Sequence, residues 1–269
     1  MVTKRIQFDN LMNRNFRSLC LLFQIFFIVG IQEVVLGNPD TKDKTFFAQL
    51  ELGPVWQTRN DVQIPNNQNG TRFSLVDLAG NGPFPSIRLY FTWRIAERHQ
   101  LRLLLAPLSY TETGTFNSPV NFAGKSYDAN QPVDGTYQFN SWRLTYAYQF
   151  HQSEHWLWRI GFTAKIRDAI IRLEQGDTSS EKTDLGFVPL LHLHGEYHIN
   201  DVWWLLLDID ALAGGPGRAE DGTLQVGYNI NNQWSLSAGY RTVEGGANVE
   251  EVYNFAWFHY LVLSVNYEF

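Results

Sequence analysis

The sequence predicts an all-β fold: a single closed antiparallel up-and-down transmembrane β-barrel of ten strands. Ten segments alternate apolar and polar residues, and this two-residue period is typical of strands rather than helices. Nearly all charged residues of these segments lie on the polar face, and the connections are alternately long and short. Segments 71–78 and 120–127 could raise the count to twelve. Neither has a continuous apolar face, so we predict β-extensions or loop hairpins above the membrane.

The first 37 residues resemble an export signal. A basic region precedes an apolar stretch at 19–31, and a cleavage site of small residues ends at Gly37. The basic residues are Lys4, Arg5, Arg14 and Arg17. The apolar stretch is shorter than the roughly 20 residues of a spanning helix, which argues against an uncleaved membrane anchor. We therefore predict a signal peptide over 1–37 and a barrel domain over 38–269.

The cysteine count and the net charge limit which covalent links, metal sites and partners the barrel domain can have. The single cysteine, Cys20, lies inside the predicted signal, so the barrel domain would have neither disulfides nor thiolate metal sites. The net charge of −6 becomes more negative once the basic leader is removed, which argues against nucleic acid as a partner. We predict no cofactor and assign no metal site.

The first five segments have an apolar face and a charged face. They are 46–57, 84–97, 100–112, 136–150 and 156–172. Their apolar faces are represented by Leu50, Leu89, Leu103, Trp142 and Phe162. Their polar faces carry Glu51, Arg88, Arg94, Arg102, Arg143, Arg159, Lys165 and Arg167. Because an arginine or lysine facing mid-bilayer lipid costs roughly 2–4 kcal/mol, the apolar faces are predicted to meet lipid and the charged faces to line the bore.

The last five segments continue the pattern with carboxylates and histidines. They are 184–199, 203–213, 222–230, 233–243 and 257–269. Their apolar faces are represented by Leu191, Leu205, Leu224, Tyr240 and Leu263. Their polar faces carry His192, His194, Glu196, Asp208, Asp210, Arg241 and Glu268. A soluble barrel of the lipocalin kind would show the same alternation with the faces exchanged, and we keep it as the alternative.

The connections and the last strand resemble those of bacterial outer-membrane β-barrels. Short connections at 98–99, 151–155, 200–202 and 231–232 fit periplasmic turns. Long ones at 58–83, 113–135, 173–183, 214–221 and 244–253 fit extracellular loops. The chain ends on Phe269, two residues after Tyr267, as the closing strand of these barrels commonly does. The resemblance implies a monomer in the lipid of a Gram-negative outer membrane, with Tyr267 and Phe269 as the signal for the barrel-assembly machinery.

Charges on the inner faces predict an ionic network in the bore. Its members are Glu51, Arg88, Arg94, Arg102, Arg143, Arg159, Lys165, Arg167, Glu196, Arg241 and Glu268. Because unpaired buried charges are costly, a plug of salt bridges is the favoured interpretation. The alternative is a lined passage for a small anionic or zwitterionic solute.

Four further residues are candidates for catalysis. If residues 199 and 203 face each other across the turn, His194 lies opposite Asp208 and His192 opposite Asp210. Such couples could form a general base with its orienting carboxylate, or ligate a divalent metal. Omptin proteases are ten-stranded barrels that use a His–Asp couple, a distant similarity without a shared motif. The sequence therefore predicts a structural or small-solute channel barrel, with a hydrolase at the extracellular mouth or a surface-loop recognition protein as alternatives.

Overall fold

The computed structural model describes residues 45–215 and 217–269, which are almost wholly β-strands. In chain order the elements are β1 (Phe46–Gln63), β2 (Phe73–Ser74), α1 (Leu75–Ala79), β3 (Phe84–Ala96), β4 (His99–Ala106), β5 (Ser109–Thr115), β6 (Val120–Phe122), β7 (Lys125–Tyr127), β8 (Pro132–Gln152), β9 (Trp156–Gln175), β10 (Thr178–His198), β11 (Trp203–Gly214), β12 (Gly217–Asn229), β13 (Trp234–Val249) and β14 (Val252–Glu268). The predicted signal peptide, 1–37, lies outside the described residues. No helix in the described ranges is long and apolar enough to cross a membrane.

The long strands form one antiparallel sheet that closes on itself, because β1 pairs with both β3 and β14. Strands β4 and β5 occupy a single position, since both pair with β8 on either side of Pro107. Proline has no amide hydrogen to donate, which suits it to this interruption. The barrel wall thus has ten strand positions, and the predicted fold class is confirmed.

The two faces of the wall are distributed as the sequence predicts. Leu263 and Phe162 point outward and are 66% and 68% exposed, whereas Glu51 and Arg143 point inward and are 1% and 3% exposed. A closed sheet satisfies its backbone groups internally, so its apolar outer face can meet lipid. The alternative with exchanged faces is therefore wrong.

Several strands extend well beyond their predicted ends. The segments 173–183, 214–221 and 244–253, predicted as long loops, are continuations of paired strands. Strands β8, β9 and β10 have 21, 20 and 21 residues, whereas β11 and β12 have 12 and 13. A membrane-spanning strand needs about 9–11 residues, so the β8–β10 side rises far above the bilayer.

The two remaining long connections fold into the upper bore. Segment 120–127 is the β6–β7 hairpin, as predicted. Segment 71–78 holds only the two-residue β2 before the chain turns into α1, a helix that the alternation did not predict. Helix α1 packs against β1, β5 and β8. An added Cβ at Gly114 would lie 1.8 Å from the carbonyl oxygen of Leu78, so glycine permits this close approach.

Buried apolar side chains fill the upper bore around these connections. They include Leu75 and Leu78 from α1, Phe122 and Tyr127 from the hairpin, and Phe258 from β14. The Tyr127 hydroxyl donates to the Leu173 carbonyl at 2.9 Å, which fastens the hairpin to β9. We call this group of residues the apolar plug. It closes the bore at the end where the long hairpins project.

An arginine at Leu263 tests the assignment of the outer face. Leu263 lies between Trp257 and Tyr267 on β14, within the predicted bilayer. Leu263→Arg should lower the free energy of unfolding in lipid vesicles by roughly 2–4 kcal/mol, because the charge would meet hydrocarbon. Val249→Arg, beside the hairpin turn, should change it by less than about 0.5 kcal/mol. Equal losses from the two substitutions would contradict a lipid-facing Leu263.

Candidate functional site in the bore

Asp221 lies at the centre of a buried ionic network below the apolar plug. One of its oxygens, Oδ2, accepts hydrogen bonds from Arg88 at 2.9 Å and from Arg143 at 2.7 Å. Its Oδ1 accepts one from Arg241 at 2.5 Å. Arg143 also donates to Asp210 at 2.8 Å, so the network continues to β11. These charged side chains are all buried.

Glu51 of β1 is the second carboxylate of the network. Its carboxylate accepts two hydrogen bonds from Arg241, at 3.0 and 3.1 Å, and lies 3.5 Å from Arg88. The Tyr90 hydroxyl accepts a hydrogen bond at 2.9 Å from each of these two arginines. Because the members come from β1, β3, β8, β11, β12 and β13, the network crosses the bore from wall to wall.

The two His–Asp couples have the predicted register. Antiparallel pairing places His192 opposite Asp210 and His194 opposite Asp208. Each histidine donates through Nδ1 to its partner carboxylate at 2.9 Å. Asp210 also accepts from the Thr163 hydroxyl at 2.8 Å. The geometry matches a base with its orienting carboxylate, but a catalytic role stays a prediction.

A second ionic layer surrounds His194. Asp208 accepts two hydrogen bonds from Arg102, at 2.6 and 3.1 Å. Glu196 accepts one from His194 Nε2 at 2.7 Å and one from Arg159 at 3.0 Å. Both carboxylates are therefore occupied by cationic or donor groups, which leaves them little freedom to take a proton from a substrate.

The His–Asp couples lie nearer the short-turn end of β10 and in the middle of β11. Both histidines are in the last third of β10, which ends at His198, and the apolar plug lies towards the opposite end. A hydrolytic site near the extracellular mouth stays a prediction.

The other predicted network residues have separate surroundings. Arg167 forms an ion pair with Asp184. The Arg94 guanidinium lies 5.1 Å from the centre of the Phe47 ring, and the Lys165 amine lies 4.6 Å from that of Phe139.

The closing strand brings its predicted signal residues together at the short-turn end. Glu268 pairs in register with Phe47. Tyr267 packs on Phe269 with ring centres 4.7 Å apart, and on Trp234 at 4.6 Å. A role of Tyr267 and Phe269 in assembly stays a prediction.

Asp221 is the main residue that the sequence analysis missed. It was assigned to the loop at 214–221, although it has the same parity as Thr223 and Gln225, whose side chains are buried in the bore. That shared parity was the available signal. Tyr90 and Thr163 were missed because an uncharged hydroxyl on an inner face does not indicate a network by itself.

A small cavity lies between the ionic network and the apolar plug. It adjoins Pro107, where the ladder between β3 and β4 ends with the pair Leu89 and Leu105. Its lining residues are Ser86, Ile87, Arg88, Ala106, Pro107, Leu108, Phe139, Ser141, Arg143, Val243 and Tyr260. This cavity separates the charged part of the bore from the apolar part.

Solved structures of bacterial outer-membrane proteins share this architecture. The protease OmpT from Escherichia coli superposes with a TM-score of 0.52 over 88% of this chain and 99% of its own, at 9% identity. An outer-membrane channel from Pseudomonas putida F1 gives 0.40 over 88% and 100%, at 12% identity. The attachment invasion locus protein Ail of Yersinia pestis gives 0.38 over 84% and 99%, at 9% identity. At such identities the similarity shows the fold alone.

Comparison of the sequence itself gives no assignment: no protein-family model matches it, and neither does any curated protein. The assignment of the fold therefore depends on the closed ten-position wall, its apolar outer face and the similarity to OmpT. These observations agree with one another and with the resemblance of the last strand. The chain has the fold of an integral bacterial outer-membrane β-barrel protein.

Proposed function

We propose that this protein is a plugged, non-conducting barrel with a structural role in the outer membrane. The observation that supports this is the set of paired charges that crosses the bore. The carboxylates are Glu51, Glu196, Asp208, Asp210 and Asp221, and the arginines are Arg88, Arg102, Arg143, Arg159 and Arg241. Each of these ten side chains has an ion-pair partner of the opposite sign. A passing solute would have to separate such pairs, which is costly in a buried setting.

The apolar plug supports the same proposal. An ion moving towards the extracellular side would leave the network and meet side chains such as Phe122 and Phe258, which are 0% and 2% exposed. Hydrophobic constrictions block ions because water does not remain in them. The two layers therefore oppose conduction by different means, and the small-solute channel is the less favoured interpretation.

Recording from planar lipid bilayers tests this function. We expect the inserted protein to give no unitary current steps at either polarity, while a porin added to the same membrane does. Insertion is verified independently by the protease protection of the barrel in vesicles. Reproducible steps from the unmodified protein would contradict the proposal and support the channel alternative.

A hydrolytic function has less support from the geometry. The His192–Asp210 couple is buried, and the apolar plug separates it from the extracellular side. Surface recognition through the long hairpins stays a prediction, supported by the height of the β8–β10 side above the bilayer.

A further inference from the structure

One nitrogen of His192 has no partner. Its Nδ1 donates to Asp210, but its Nε2 is buried without a hydrogen-bond partner among the residues that the structure describes. The imidazole is 0% exposed. Leaving a buried polar atom unpaired costs about 1–3 kcal/mol. A metal ion that accepts the lone pair of this nitrogen would remove that cost. When His192 is neutral and donates through Nδ1 to Asp210, its Nε2 carries that lone pair.

His194 and Asp208 lie next to the imidazole ring of His192. One ring nitrogen of each histidine and one oxygen of Asp208 are all within 4.8 Å of one another. Ligand atoms of a tetrahedral zinc site are roughly 3.3 Å apart, as bond lengths of about 2.0 Å require. The three side chains come from the adjacent paired strands β10 and β11, so small side-chain adjustments could close the set around one ion.

The surrounding carboxylates match the outer partners of metal-binding histidines. Such histidines almost always donate their second ring N–H to a carboxylate or a carbonyl. Asp210 accepts from His192 Nδ1, and Glu196 accepts from His194 Nε2. His194 would then ligate through Nδ1, where the ion replaces the proton that His194 donates to Asp208 Oδ2. Arg102 donates to both oxygens of Asp208, at 2.6 Å to Oδ2 and at 3.1 Å to Oδ1, and its bond to Oδ1 would remain when Oδ2 binds the ion.

An ion could reach these residues from the periplasm. Along the inner face of β10 the exposed fraction of the side chains rises from 0% at His192 to 11% at His194. It is 24% at Glu196 and 41% at His198, beside the periplasmic turn. The path is therefore lined by groups that themselves bind cations.

We propose that His192, His194 and Asp208 form a binding site for a divalent transition-metal ion of the zinc class, loaded from the periplasm. Two imidazoles and one carboxylate favour Zn²⁺, Cu²⁺ or Ni²⁺ over Mg²⁺ and Ca²⁺, which prefer oxygen ligands. The ion ties β10 to β11 within the ionic network. Its binding releases a proton from the His194–Asp208 pair.

Zinc titration of the complete folded barrel tests the site. Protein in detergent micelles, first treated with a chelator and then freed of it, is titrated with ZnCl₂ in a calorimeter. We expect saturation at one Zn²⁺ per chain, with an observed enthalpy that depends on the ionisation enthalpy of the buffer because protons are released. Excess Mg²⁺ should not compete. Co²⁺ should give the visible absorption of a tetrahedral site with nitrogen and oxygen ligands.

Variants identify the ligands. His192→Gln and His194→Gln should each weaken zinc binding at least about tenfold, whereas His155→Gln, an exposed histidine outside the site, should not. Folding of each variant is verified by the heat-dependent shift of its electrophoretic mobility. The proposal is overturned by no saturable zinc binding, by unchanged binding in His192→Gln, or by loss of binding in His155→Gln. If the site variants do not fold, absence of the Co²⁺ spectrum in the unmodified protein overturns it.

Discussion

Asp221→Asn is expected to lower the free energy of unfolding by about 3–5 kcal/mol, the usual cost of breaking a buried ion pair from one side. Asp221 accepts hydrogen bonds from Arg88, Arg143 and Arg241 inside the bore. The amide keeps the size of the side chain but removes its charge, so three arginines would compete for Glu51 and Asp210. Reversible unfolding in urea, followed by tryptophan fluorescence in lipid vesicles, measures the change.

Glu181→Gln is the matched control for this experiment. Glu181 pairs with Arg172 on the β9–β10 hairpin, where the two side chains are 45% and 34% exposed. An exposed pair contributes at most about 1 kcal/mol, so the control should change stability little. Similar losses in the two variants would mean that burial does not strengthen the Asp221 interactions, and the plugged-bore proposal would lose its main support.

Phe258→Ala is expected to lower the free energy of unfolding as much as Asp221→Asn does, by about 3–5 kcal/mol. Phe258 is 2% exposed within the apolar plug, and its ring centre lies 5.7 Å from that of Tyr137. Truncation would leave a cavity among β14, β8 and the connections that fold inward. The same urea titration measures the effect.

Phe162→Ala gives the comparison for the apolar plug. Phe162 faces lipid and is 68% exposed, so acyl chains can fill the space that the ring leaves. Phe162→Ala should therefore lower the free energy of unfolding much less than Phe258→Ala does. A larger effect from Phe162 than from Phe258 would show that packing against lipid, rather than packing within the bore, stabilises this barrel.

The faces of the strands and the register of the His–Asp couples could be predicted from the sequence. Side chains alternate with a period of two, and a short turn at 200–202 fixes which residues of β10 and β11 face each other. Hence His192 and Asp210 were paired correctly without knowledge of the rest of the barrel. Lipid on one side makes this alternation strict wherever the wall crosses the membrane.

The hairpin extensions could not be predicted by the same reasoning. Beyond the bilayer both faces can meet water, so segments such as 173–183 lose the alternation while the backbone ladder continues. Asp221 was assigned to a loop because it follows the glycine-rich segment 214–217, although its side chain is buried in the bore. Helix α1 has five residues, too few to show a period, and isolated helices of that length are unstable without tertiary packing. Its local signals are Ser74, which accepts a hydrogen bond from the Asp77 amide, and Gly80 at its C-terminal end, with a φ of 76°.

The unequal heights of the wall affect what the cell presents to its surroundings. Strands β9 and β10 continue to a turn at Gly176, on a side with roughly 25 Å more strand than that of β11 and β12. If the long hairpins face the outside, as we propose, an antibody that approaches an intact cell would meet the β9–β10 hairpin first. Exposed turn tips tolerate insertions, so a peptide epitope placed after Gly176 should be displayed on living bacteria while the buried bore stays undisturbed.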